Sequence, residues 1–180
     1  MNPGGKRARI VAAAFAAVAA VAAWAGFAVD RMAKEAWKRT WVLQAEELGV
    51  FTRRALGDRE DLLVVDRLRF LGKRDDVAYA LVMDPAGKAL IHSDVSQTGR
   101  VYDSEYAKRA AAAKSTLVQE VPQANVVEVD VPLGEVGVLR AGFTFATVGG
   151  WESWLWVLTG LACVSACVAG LLVLKRVDKL

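Results

Sequence analysis

Two long apolar stretches carry no charged side chain, residues 10–29 and residues 154–174. Each has about the 20 residues that a helix needs to cross a hydrocarbon core roughly 30 Å thick. They account for a mean hydropathy of +0.28 in a chain that is also 24% charged. We therefore predict two transmembrane helices that enclose one domain of ordinary size.

The charges beside these stretches indicate a topology. Three basic residues precede the first stretch and three come after the second: Lys6, Arg7, Arg9, Lys175, Arg176 and Lys179. Between the stretches, basic and acidic residues are similar in number. Short basic flanks stay in the cytoplasm, so both termini are expected there and the domain on the other side of the membrane. Tryptophans near the outer ends of both spans fit a membrane interface: Trp24, Trp37, Trp41, Trp151, Trp154 and Trp156.

The predicted organisation has five parts. They are a cytoplasmic tail at 1–9, a first transmembrane helix at 10–29, an extracytoplasmic domain at 30–150, a second transmembrane helix at 151–174 and a cytoplasmic tail at 175–180. A cleaved signal peptide is the alternative for the first span, because Ala23-Trp24-Ala25 resembles a cleavage site. An uncleaved anchor is favoured, since the apolar run continues to Val29, beyond the ~7 to 15 residues of a usual signal sequence.

Helical spacing continues beyond the first span to about Leu56. Apolar residues recur there at intervals of three and four: Trp37, Trp41, Ala45, Leu48 and Ala55. This stripe needs a partner. A second copy of the chain, forming a homodimer through residues 30–56 and the transmembrane helices, is one candidate. The domain's own sheet is the other, and the two do not exclude each other.

The pattern in the rest of the domain predicts an α+β fold. Gly57 ends the long helix, and Asp58 with Asp61 is expected to cap a second one whose apolar positions are Leu62, Val65, Leu68 and Leu71. Alternation predicts strands at 77–83 and 88–93 around an Asp84-Pro85-Ala86-Gly87 turn. A helix is expected at 103–114, and three further strands at 117–121, 125–133 and 136–146, the last two joined at 134–137. The resulting fold class is a five-stranded antiparallel sheet with a long N-terminal helix, between two transmembrane helices.

Several motifs in this region resemble one family. They are Gly87-Lys88-Ala89-Leu90-Ile91-His92, Gly99-Arg100, Val131-Pro132-Leu133 and Gly137-Val138-Leu139-Arg140-Ala141-Gly142. In this order they resemble the extracytoplasmic PAS-like (single Cache) domains of bacterial two-component sensor kinases, of the citrate and C4-dicarboxylate type. The resemblance implies a bacterial inner membrane protein with a ligand pocket on one face of a five-stranded sheet, a long N-terminal dimerisation helix, and signalling through the membrane helices.

The departures from that family concern its ligand. Its carboxylate sensors carry an Arg three residues before the His and basic residues two and four before the Pro, which suits carboxylate binding. This chain has Ala89, Asp130 and Glu128 at those positions. We therefore expect that citrate, malate and succinate do not bind. Period two places Glu128 and Asp130 on one face, opposite Val127, Val129 and Val131. If that face lines a pocket, the ligand is an amine, an amino acid or a divalent cation; otherwise both acids face water.

Four more residues are candidates for ligand binding. His92, the single histidine, matches the family's ligand-side His and is able to report pH; alternatively, the neighbouring loop satisfies it. Arg100 either faces an anion or ties its loop to Asp94 or Asp103, and the tie is favoured. Tyr79 and Tyr102 are pocket candidates by position.

Other function classes find no support in the sequence. No nucleotide-binding glycine motif, nucleophile elbow or paired-His motif is present, so no catalytic residue, cofactor or metal site is predicted. A formal charge of +3 with basic residues at the ends does not indicate a nucleic-acid binder.

Only residues 175–180 follow the second span, so no output domain is expected. Three functions therefore remain as alternatives. The chain is the sensory and membrane part of a receptor, or it is a sensor that signals through a separate transmitter protein. Otherwise it is a structural or accessory subunit whose PAS-like domain binds other members of a membrane complex.

Overall fold

The computed structural model describes residues 3–145, 156–165 and 168–169. Two compact units are distinguished: one contains both chain ends, and the other spans Ala36–Val148.

The first unit is dominated by the N-terminal part of one helix, α1, which runs over Pro3–Gly57. The predicted continuity from the apolar stretch into the domain is therefore confirmed. An 18-residue window of α1 has a mean hydropathy of 1.7, so by length and composition this helix fits a membrane span or a signal sequence. Within the described residues it is the one helix that meets this test, whereas the apolar helix Trp156–Ser165 is shorter. The second predicted span lies in part outside the described residues.

The second unit begins with the C-terminal half of α1, whose apolar stripe is buried. Trp41, Ala45, Leu48 and Ala55 belong to one hydrophobic core with the valines of the sheet. Trp41 stacks on Phe143 with ring centroids 5.2 Å apart. The domain's own sheet therefore supplies a partner for the stripe, and Trp37 at its N-terminal end is more exposed.

Helix α2 spans Asp61–Leu71 and departs from the sequence prediction in two ways. Its N-cap residue is Glu60, whose side chain makes no capping hydrogen bond, so capping by Asp58 or Asp61 is wrong. Its buried residues are Val64 and Leu68, whereas Leu62 is exposed. Val65 and Leu71 are partly buried against the same core, so the predicted face is confirmed except at Leu62, and Val64 joins it.

The five predicted antiparallel strands are confirmed within a few residues. They are β1 at Val77–Met83, β2 at Ala89–His92, β3 at Leu117–Val121, β4 at Val126–Pro132 and β5 at Val138–Thr144. Their order in the sheet is β2-β1-β5-β4-β3. Helix α3, between β2 and β3, covers Glu105–Ala111 and starts later than predicted because the Ser104 hydroxyl accepts a hydrogen bond from the Ala107 N–H.

The sheet separates two cores. Alternate residues of β4 and β5, such as Val129 and Phe143, face the core that contains α1 and α2. The opposite face packs a smaller cluster with α3, in which Leu81, Met83 and Val138 contact Ala107 and Ala110. The candidate functional residues lie on this second face.

Candidate functional site

Two acidic side chains of β4 are buried on the α3 face of the sheet. Glu128 is 5% exposed and Asp130 is 0% exposed. Val127, Val129 and Val131 lie in the other core, so the predicted division of β4 between two faces is confirmed. The alternative that both acids face water is wrong, because a basic residue of the neighbouring strand allows them to be buried.

That residue is Arg140 on β5, directly opposite Asp130 in the sheet register. Its Nε donates to Asp130 Oδ1 at 2.9 Å, and its Nη2 donates to Glu128 Oε2. The guanidinium is only 3% exposed and bridges both carboxylates. A buried carboxylate is tolerated when an opposite charge and hydrogen bonds compensate the loss of water, and Arg140 supplies both.

Two neutral side chains complete this group, which we call the buried polar network: Tyr79, Gln119, Glu128, Asp130 and Arg140. The Tyr79 hydroxyl donates to Glu128 Oε1. Gln119 Nε2 donates to Asp130 Oδ2 at 2.8 Å and to the Tyr106 carbonyl oxygen at 3.1 Å. The network thus links strands β1, β3, β4 and β5 to helix α3.

Burial dominates the electrostatics of the network. It raises the pKa of Asp130 to about 6, against the opposing effect of Arg140. It also raises the pKa of Tyr79, as do the charge and hydrogen bond of Glu128, so the phenol stays neutral. Burial disfavours the charge of Arg140, but the two carboxylates raise its pKa above the usual value. The guanidinium therefore remains charged.

The aromatic candidates continue from this network in a row. The rings of Tyr79 and His92 have centroids 6.4 Å apart, and those of His92 and Tyr102 are 6.5 Å apart and nearly parallel. The Arg100 guanidinium lies 5.5 Å above the centre of the Tyr102 ring. All six predicted ligand-binding residues, which span more than 50 positions of the chain, therefore lie along one connected row.

His92 itself is satisfied by its own loop. Its Nδ1 accepts a hydrogen bond from the Asp94 N–H at 2.9 Å, and the side chain is buried. Burial lowers the pKa of His92, although Asp94 opposes this effect. The ring is therefore neutral at pH 7, with Nε2 as its N–H donor.

Arg100 ties its loop as predicted, but to a different residue. Its Nη1 donates to Gln97 Oε1 at 2.8 Å, so the expected ion pair with Asp94 or Asp103 is wrong. Asp94 instead caps a short helical turn by accepting from the Ser96 N–H. Capping uses the carboxylate that the ion pair would have needed.

Arg140 and Gln119 were missed by reasoning from the sequence. Arg140 is a lone charge in an apolar strand, and this was a signal that it needs a buried partner. The partner could not be identified because the cross-strand register was not known. A four-residue turn at 134–137 would place Arg140 beside Val131, on the wrong face. In the structure Pro132 pairs with Val138 across a longer turn, and the shift by one residue brings Arg140 to Asp130.

A second feature of the domain is a groove between α1 and α2. It has a volume of about 880 Å³, and its walls are mixed. The apolar lining residues include Leu48, Phe51, Leu63 and Phe70, and the charged ones are Glu47, Asp66, Arg67 and Arg74. Phe51, Leu63 and Phe70 are exposed. The groove lies on the opposite side of the sheet from the buried polar network.

On the α3 face, the described residues bring two carboxylates, one guanidinium and two neutral polar side chains into contact. In the part of the chain that the structure describes, no group of three or more His, Cys, Asp or Glu side chains is placed to hold a metal ion. Both buried acids already share a guanidinium, so a cationic ligand would have to displace Arg140. No family model matches the chain, and no curated protein is significantly similar to it in sequence.

Proposed function

We propose that the chain is a membrane-anchored sensory protein. Its domain at 30–150 is a PAS-like (single Cache) domain on the extracytoplasmic side of a bacterial inner membrane. The domain binds a small ligand, and the transmembrane helices pass the signal to a separate output protein or domain. Both termini lie in the cytoplasm.

The connected row of candidate residues carries this proposal. Tyr79, His92, Arg100 and Tyr102 come from β1, β2 and the loop after β2, and they meet on one face of a five-stranded antiparallel sheet. A face of such a sheet is where the sequence resemblance expects the ligand. The long helix α1 supports the same assignment, since it contains both the apolar stretch and the stripe packed on the sheet.

Because both acids are already paired, a smaller range of ligand chemistry fits the site. Glu128 and Asp130 are bonded to Arg140, which leaves Arg100, the His92 ring and the Tyr102 ring for external contacts. A cation above an aromatic ring suits a ligand with one acidic group and a flat or apolar body. Citrate, malate and succinate remain expected non-binders. Each carries more than one carboxylate, whereas Arg100 is the one guanidinium of the described row that is not already bonded to Glu128 and Asp130.

A ligand screen on the purified full-length chain tests the proposal. In mild detergent, the Tm of the domain is measured with monocarboxylates, aromatic acids, amines and amino acids, with citrate, malate and succinate as expected negatives. A binder should raise the Tm, because it binds the folded state only. Arg100→Ala should remove that shift, and Arg69→Ala, an exposed arginine on α2, should keep it. A shift unaffected by Arg100→Ala, or no shift with any compound, contradicts the proposal.

The homodimer belongs to the same proposal. Leu43 and Val50, seven residues apart on one side of α1, are each 67% exposed. Besides the apolar stripe that packs on the sheet, α1 therefore has a second, exposed apolar strip. A second copy of the chain can cover that strip. Native mass measurement of the same preparation should give twice the chain mass, and Leu43→Glu should reduce it to the monomer.

An alternative function is favoured by the groove between α1 and α2. Exposed Phe51, Leu63 and Phe70 on a single groove are typical of a surface that contacts another protein. The chain would then be an accessory subunit of a membrane complex and would bind no small ligand.

Copurification separates this alternative from the sensor. The tagged chain is isolated from its native membrane, and stoichiometric partners are identified by mass spectrometry. An accessory subunit should lose its partner with Phe70→Ser and keep it with Val118→Ser, an exposed apolar residue on the edge strand β3, away from the groove. A partner with a kinase or other output domain would instead support the sensor.

A further inference from the structure

We propose that the buried polar network takes up one proton, at Asp130, in the mildly acidic range, and that proton uptake stabilises the folded domain. The network would then act as an acidity-sensitive element in the sheet. This uptake does not require a small ligand and goes beyond the sensory role proposed above.

The charge of the network is the first reason. Two carboxylates and one guanidinium are enclosed together, at exposures between 0% and 5%. The Tyr79 phenol and the Gln119 amide carry no charge, so the ionised network has a net charge of about −1. A net charge removed from solvent is costly, and a single proton removes that charge.

The hydrogen bonds of the network also lack one donor. Gln119 is buried, and its Oε1 has no hydrogen-bond partner among the described residues. Its Nε2, on the same amide, donates to Asp130 Oδ2. The network therefore holds one acceptor in excess, next to the carboxylate that carries the excess charge. A proton on Asp130 supplies one additional donor at that position.

The elements packed around Asp130 contain no second cation within the described part of the chain. Strand β5 presents Arg140, β4 presents Glu128 and β1 presents Tyr79. Strand β3 presents Gln119, while its neighbour Glu120 is bonded to Lys38 of α1. Helix α3 contributes the Tyr106 carbonyl and two buried alanines, and its charged residues are exposed: Glu105, Lys108 and Arg109. His92 on β2 lies beyond Tyr79 and is neutral.

Asp130, rather than Glu128, takes the proton because it is the more deeply buried. Each carboxylate accepts from two donors, so burial and the neighbouring unpartnered Gln119 Oε1 distinguish Asp130, which is 0% exposed against 5% for Glu128. The pKa of Asp130 is raised to about 6 by burial. Asp130 is therefore ionised in neutral solution and protonated at about pH 5.

Carboxyl NMR on the full-length chain in mild detergent tests this directly. Aspartate is labelled with ¹³C at the side-chain carboxyl, and the spectrum is followed between about pH 4.5 and 8. One resonance should titrate with a midpoint near 6, and it should be missing in Asp130→Asn. Asp76→Asn is the matched control, since Arg74 and Trp41 hold the pKa of that carboxyl below its usual value despite partial burial. The control should keep the resonance.

A second variant covers the case in which Asp130→Asn does not fold. Gln119→Met removes a donor that stabilises the ionised carboxylate, so the midpoint should move to higher pH. A wild-type spectrum in which no aspartate titrates above about pH 5 overturns the proposal. So does a midpoint near 6 that persists in Asp130→Asn or does not move in Gln119→Met.

Stability gives an independent readout with a defined sign. The pKa of Asp130 is higher in the folded chain than in the unfolded chain, so the folded state binds the proton more tightly. Its contribution is fully present below about pH 4 and is lost as the pH rises through about 6. The ratio of the wild-type folding constant to that of Asp130→Asn should fall by up to about tenfold per pH unit across this window. An equal pH dependence of the two proteins would contradict proton uptake at Asp130.

Discussion

At the scale of single residues, the domain depends on one guanidinium that serves two carboxylates. A buried ion pair contributes little compared with apolar packing, but removing one partner leaves the other uncompensated. Arg140 is the sole basic side chain bonded to Glu128 and Asp130 among the described residues. The three residues therefore act as a unit.

Arg140→Ala should destabilise the domain by about 3–5 kcal/mol at neutral pH, because two buried acids lose their counter-charge. The free energy of unfolding is measured by denaturant titration of the full chain, with circular dichroism as the signal. Arg54→Ala is the matched control. Arg54 is exposed on α1 and lies 3.9 Å from Asp58, so its loss should cost less than about 0.5 kcal/mol. Equal losses for both variants would contradict the role assigned to Arg140.

At the scale of elements, helix α1 approaches the sheet closely at one glycine. A Cβ on Gly49 would lie 2.6 Å from Val131 Cγ1 on β4. Gly57, at the C-terminal end of the same helix, has nothing within 4 Å of its Cβ position. The two glycines share a helix and differ in the space beside them.

This difference predicts effects of opposite sign. Gly49→Ala should destabilise the domain by about 1–3 kcal/mol, because α1 must move away from β4 to admit the methyl group. Gly57→Ala should be neutral or stabilise by up to about 1 kcal/mol, because alanine favours a helix and meets no obstacle. Denaturant titration of both variants measures the two values. A stabilising Gly49→Ala would contradict the close packing of α1 on β4.

The elements also show how far the sequence predicts this fold. Alternation of apolar residues located all five strands, and the Asp84-Pro85-Ala86-Gly87 turn located the first hairpin, since these signals are local. On α2 only Leu62 departs from the predicted face: it is apolar yet exposed, and nothing in an isolated helix indicates which apolar residues the neighbouring elements cover. The partner of Arg140 was missed because it depends on a cross-strand register set by an irregular turn.

For the candidate site, the sequence predicted which residues lie together but not what each of them contacts. His92, Arg100, Glu128 and Asp130 were named from the family resemblance, and Tyr79 and Tyr102 from position. The structure does bring all six together. Their roles required three-dimensional information. Whether a strand acid faces water or a buried guanidinium depends on the neighbouring strand and on α3, and these elements are separated from it in sequence.

At the scale of the whole molecule, the sensory proposal requires that the domain and the termini lie on opposite sides of a membrane. The basic residues at both ends favour this arrangement. The apolar part of α1 fits either a permanent anchor or a signal sequence. An uncleaved anchor keeps the N-terminus attached and cytoplasmic, whereas a cleaved signal removes it.

Cysteine labelling on intact cells distinguishes these arrangements. In a chain with Cys163→Ala and Cys167→Ala, Thr98→Cys adds one thiol at an exposed position of the domain, and Asp178→Cys adds one near the C-terminus as the control. A membrane-impermeant maleimide should label Thr98→Cys on intact cells, and it should label Asp178→Cys only after permeabilisation. An N-terminal tag should stay on the labelled chain, because the first span is not removed. Loss of the tag would indicate a cleaved signal, and labelling of Asp178→Cys without permeabilisation would place the C-terminus outside and exclude signalling to a cytoplasmic partner through the second span.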